Sequence, residues 1–147
     1  MNYTLVVILS FTIAIPAFVG WGRLKRIDPA YFPFIAMLTL AFMNETISFF
    51  VTRNGHSNAI NSNIYALAEG LLITMLFYKI GLFKTKRTLY YSLLIFLVVL
   101  WIADKYIISD IQHFSSYYAL GSAFIYVLMS VSMINRITLV EHQRIPM

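Results

Sequence analysis

Apolar blocks close to twenty residues long follow one another along this chain, with only short polar breaks between them. A helix of about twenty residues matches the ~30 Å hydrocarbon core of a bilayer. Inside lipid each backbone N–H and C=O must find its partner within its own segment, so such blocks predict helices. The expected fold is all-α: a compact bundle of five transmembrane helices forming one domain over residues 1–147. The spans are expected at about 3–21, 30–52, 60–80, 88–108 and 111–135.

Charge supports this reading. Only 12% of the residues are charged, about half the share of a soluble domain. No cysteine is present, which excludes disulfides and thiolate metal sites. The net charge of +5 does not indicate nucleic acid, because the basic residues sit at helix ends. Lys and Arg are absent from the first 22 residues and then cluster as Arg23, Lys25 and Arg26. A secretory signal would carry its positive charge first. With that cluster placed inside, Lys79, Lys84, Lys86, Arg87, Arg136 and Arg144 also fall inside, and only Arg53 and Lys105 fall outside. The positive-inside rule then predicts the N-terminus out and the C-terminus in.

Local signals mark the helix ends. Asp28-Pro29 is an N-cap followed by Pro at the first helical position. Gly55 and Gly81 follow the second and third spans, where a left-handed residue closes a helix. Ser109 or Asp110 is expected to cap the fifth helix, and Asn135-Arg136 to mark its inner boundary. Pro16 removes a hydrogen bond within the first span and is expected to bend it.

Chemistry is concentrated in a few acids. Glu69 lies in the third span, eight residues after Asn61, and shares a helix face with Asn61 and Tyr65. Glu45 lies in the second span, eight residues before Arg53 and beside Asn44. Counted from the outer ends, both carboxylates sit about 12 Å deep. An acid at depth costs on the order of 3 kcal/mol, so it calls for a partner. Asp104-Lys105 lies nearer a helix end, where Lys105 is expected to snorkel and Asp104 to cap or pair. His113 and Tyr117 enter from the same side on the fifth helix. His56 and His113 show no His-x-x-x-His or Glu-x-x-His spacing, so no metal is expected. No phosphate loop, serine triad or redox signature is present, so no cofactor is called for.

Three functions fit these residues. The preferred one is a pocket that binds or transports a small cationic, protonatable or lipophilic ligand. Its ligand-binding residues are Asn44, Glu45, Tyr65, Glu69, His113 and Tyr117. The second is a membrane enzyme acting on a lipid or isoprenoid, with Glu45 and Glu69 as an acid–base pair and Asp104 as a further catalytic candidate. The third is an oligomeric subunit or pore-forming effector, in which the acids only fix helix packing. Membrane lipids are expected partners in each, with a further copy or another protein in the third. Nucleic acid is a partner in none.

The run Asn63-Ile64-Tyr65, then Glu69 and Phe77-Tyr78-Lys79, with Asn44-Glu45 before it, resembles a pattern in small multi-pass bacterial inner-membrane proteins. That resemblance implies a bacterial inner-membrane setting and no particular reaction. Membrane terpene cyclases are similar in placing paired carboxylates inside a small helical bundle, but no motif here carries their residues over.

Overall fold

The computed structural model describes residues 10–114 and 116–142. Helix α1 spans Ala14–Gly22, α2 Phe32–Arg53, α3 Ala59–Lys79, α4 Arg87–Ala103 and α5 Ser116–His142. Helices α2 to α5, with the turns that extend them, give four segments long and apolar enough to cross a membrane. The chain is thus an all-helical membrane protein among its described residues. The expected span at 3–21 begins outside them. Within its described part, from residue 10 on, lies α1, nine residues long. Arg144 also lies outside the described residues.

Capping chemistry sets the ends. Asp28 accepts from the Ala30 N–H at 2.8 Å, and Pro29 opens the short turn Pro29–Tyr31 that leads into α2. Gly55 and Gly81 take φ of +75° and +98°. After each, the chain folds back: His56 N–H bonds to Val51 O and Leu82 N–H to Phe77 O. These 6→1 bonds satisfy carbonyls that a helix end leaves open. Pro16 lies in the first turn of α1, where a missing N–H costs nothing. The span is interrupted just before it, at a turn of residues 12–13 between helical residues 10–11 and α1, so the helix breaks where Pro16 removes its bond.

The fourth and fifth helices depart from expectation where they meet. Helix α4 passes into a π turn over Asp104–Ile108, closed by Ser109 N–H on Asp104 O at 2.9 Å. Helix α5 starts at Ser116, not at Ile111. Residues 109–114 form a loop because side chains take its carbonyls: Asn63 Nδ2 bonds to Ile111 O and His113 O, each at 2.8 Å. Asp110 accepts from Gln112 N–H within that loop and does not cap α5. At its other end α5 runs to His142, so Arg136 is inside the helix, where its guanidinium donates to Gly81 O.

Helix α3 is the hub, packing against α2, α4 and α5. Its Ala66, Leu67 and Ile73 meet a core of Phe83, Leu97, Tyr118, Ile125 and Met129. The outer faces carry Ile95, Val99, Leu120 and Phe124, all exposed, as lipid-facing residues should be. Lipid gives no hydrophobic drive between helices, so close approach decides the packing. Gly70 supplies it. A Cβ there would collide with the hydroxyls of Tyr118 and Tyr126 on α5. Gly70→Ala is expected to destabilise the bundle by about 1–3 kcal/mol, partly offset by alanine's better helix propensity. Circular dichroism melting in detergent reads this, and an unchanged melt would refute so tight a contact.

Candidate functional site

Two polar constellations lie between the helices. The first is a seam between α2 and α3. Helix α3 repeats polar residues three and four apart, which places Asn58, Asn61, Tyr65 and Glu69 along one side. Asn58 Nδ2 donates to Ser48 Oγ at 2.7 Å, and Asn61 Nδ2 donates to Asn44 Oδ1 at 2.8 Å and to Asn58 Oδ1 at 3.2 Å. Further along, Tyr65 OH donates to Glu69 Oε1 at 2.9 Å. Glu45, half-buried, follows Asn44 on α2. Beside Glu69, the Tyr118 and Tyr126 hydroxyls both lie against Gly70, and Tyr118 OH donates to Ala66 O at 3.3 Å. The polar groups thus descend from Asn58 to the middle of the bundle.

The two glutamates are not level. Asn44 faces Asn61 and Ser48 faces Asn58. Glu45, next to Asn44, therefore sits near the level of Asn61. Glu69 lies eight residues further along α3, about 12 Å. Equal depth fails because the Gly55 turn folds the chain back beside the last turns of α2. Helix α3 then starts opposite Ser48, not opposite Arg53. Tyr65 stands between the two acids and links their levels.

Beside this ladder lies a cleft of about 160 Å³, lined by Asn44, Ile47, Asn61, Ile64 and Tyr65 among others. That volume holds roughly five waters at about 30 Å³ each. It suits an ion or a few-atom molecule and is too small for a lipid. Neither glutamate lines it; Glu69 is hydrogen-bonded to the lining residue Tyr65, and Glu45 follows the lining residue Asn44. Both glutamates are half-buried.

The second constellation is a buried knot at the same end of the bundle. Asp104 and Lys105 are 1% and 2% exposed, with Nζ and Oδ2 4.0 Å apart. Lys105 Nζ donates to His113 O at 2.7 Å. Asp104 Oδ2 accepts from the Tyr118 N–H in the first turn of α5 at 3.3 Å, and Oδ1 accepts from Ser109 Oγ at 3.3 Å. A carboxylate from one helix thus caps the next. Asn63 ties in as well, its backbone carbonyl accepting from Trp101 Nε1 at 2.9 Å. Lys105 does not snorkel. The π turn directs both side chains inward, and the 109–114 loop covers them.

The structure brings Asn44, Glu45, Tyr65 and Glu69 to one seam and leaves the other expected residues elsewhere. Asp104 belongs to the knot. His113 and Tyr117 are exposed, and His113 contributes its carbonyl to the knot. Gly70, Tyr118 and Tyr126 are additions that the sequence reading missed. Their signal was the spacing of Tyr118, Ser122 and Tyr126 at four-residue steps, one face of a helix. No protein-family model, curated protein or solved structure matches this chain.

Proposed function

We propose that this chain is a small multi-pass protein of a bacterial inner membrane, N-terminus out and C-terminus in, that takes a small cation or protonated amine into the α2–α3 seam. One observation carries the reading. Glu45 and Glu69 are half-buried in apolar helices, yet among the described residues the only ion pair is Asp104–Lys105. Two acids at depth with no cation of the chain beside them are costly as carboxylates. A proton or a cation entering the seam removes that cost, and the removed cost becomes affinity. The cleft size selects a small ligand over a lipid.

Native mass spectrometry of the detergent-purified protein tests this, with sodium, potassium and methylammonium offered in turn. The wild type is expected to retain one of them as a discrete adduct, and Glu69→Gln to lose it. Tyr65→Phe, which removes the 2.9 Å bond to Glu69, is expected to weaken retention roughly tenfold. If wild type and Glu69→Gln carry identical adducts, the seam is not the site.

A further inference from the structure

A second and larger concavity lies at the opposite end of the bundle, where the chain gathers its basic residues. It is a groove of about 510 Å³ between α4 and α5, floored by the loop that follows Gly81. Its walls are hydrocarbon: Leu89 and Leu93 from α4, Ile125 and Met129 from α5. Its end is cationic, with Lys86 and Arg136, and the hydroxyls of Thr85 and Ser132 stand nearby. No acidic residue lines it. From this arrangement we infer a binding site for one anionic phospholipid, its phosphate at Lys86 and Arg136 and one acyl chain along the groove.

Dimensions support that occupant. From Ile125 to Arg136 is eleven residues of α5, about 16 Å of helix. One leaflet of hydrocarbon is about 15 Å deep, half of the ~30 Å core. A phosphate held beside Arg136 therefore lets an acyl chain run to the level of Ile125 without leaving its own leaflet. The volume falls within the range of about 300–1,000 Å³ typical of ligand sites. It is some three times the seam cleft, so the two concavities take different molecules.

Charge selects the headgroup. Arg136 uses its guanidinium to hold Gly81 O, and a guanidinium has five N–H donors in all. Arg136 also lines the groove, and its single bond to Gly81 leaves donors for phosphate. Lys86 is exposed and supplies a mobile second charge. With two cations and no acid, a headgroup of net negative charge is favoured over a zwitterionic one.

The test uses the full-length protein in detergent with phosphatidylglycerol and phosphatidylcholine of equal chain length. Native mass spectrometry counts the lipid adducts that survive. The wild type is expected to retain phosphatidylglycerol at least fivefold over phosphatidylcholine. Lys86→Ala is expected to reduce that preference about fivefold, the worth of one basic residue near an anionic surface. Because Lys86 is exposed, this variant tests the head site with little effect on folding. Leu93→Trp fills the groove and is expected to lower retention of both lipids, with thermal melting as its folding control. Equal retention of the two lipids by the wild type overturns the proposal. So does a fully folded Leu93→Trp that keeps its lipid. A wild-type dimer that carries no lipid and is lost in Leu128→Trp assigns the groove to a second copy and overturns it too.

Discussion

Asp104→Ala is expected to lower the stability of the bundle by about 3–5 kcal/mol, the usual effect of removing one member of a buried ion pair. The deleted carboxylate does three things at once. It faces the Lys105 ammonium, which is itself fully buried. It also accepts the Ser109 hydroxyl and the Tyr118 N–H at the start of α5. Alanine leaves the Tyr118 N–H without its acceptor and the buried Lys105 ammonium without a counter-charge, while Ser109 Oγ keeps the residue-104 carbonyl at 2.6 Å and Lys105 Nζ keeps His113 O. Lys105→Met should cost less, because Asn63 still donates to His113 O and Asp104 keeps its two neutral donors. Replacing both members, as Asp104→Asn with Lys105→Met, should recover much of the loss, since the uncompensated charge is then gone. Trp101 fluorescence reports the melt from within the knot, through its bond to the Asn63 carbonyl. Equal melting of Asp104→Ala and wild type would remove the knot from any account of what holds α4 to α5.

Asn63→Leu is expected to cost about 2–3 kcal/mol. Leucine shares asparagine's heavy-atom branching but is bulkier, so it leaves no cavity and any packing cost is one of crowding. What goes is the amide that donates to Ile111 O and His113 O. His113 O keeps the Lys105 bond, whereas Ile111 O loses the bond that tied it to α3. A buried carbonyl left open costs about 1–3 kcal/mol. Both this variant and Asp104→Ala loosen the same loop, so their combined effect should fall short of the sum by at least about 0.5 kcal/mol. A double-mutant cycle on thermal or denaturant melting measures it, and strict additivity would show that the two residues hold separate structures.

Much of the fold was legible. Apolar length placed the long helices, and Asp28-Pro29, Gly55 and Gly81 gave their ends, because caps depend on a few adjacent residues. The illegible parts depend on contacts between distant segments. The π turn at Asp104 follows from bonds with the 109–114 loop and Tyr118. The late start of α5 follows from Asn63, some fifty residues earlier. Relative depth went astray for the same reason. Counting from helix ends treats the α2–α3 hairpin as symmetric, while the fold-back at Gly55 shifts α3 against α2 by more than a turn. Asn44, Glu45, Tyr65 and Glu69 could be grouped because neighbouring antiparallel helices must face each other. His113 and Tyr117 could not be placed, since their exposure depends on where α5 begins. The role of Gly70 needs the register of Tyr118 and Tyr126 against α3, which no local pattern records.

The amide bonds between α2 and α3 bear on how the chain enters its membrane. Asn44 and Ser48 find side-chain partners in Asn61 and Asn58, across a turn of residues 54–58. A lone α2 arriving in lipid would hold Asn44 and Ser48 with neither amide to meet them, an unfavourable state at that depth. Its partner emerges from the ribosome a few residues later. The two segments are therefore built to cross as a hairpin, each shielding the other's polar groups. In the folded bundle α4 and α5 pack against α3, where Asn63 and Gly70 meet them.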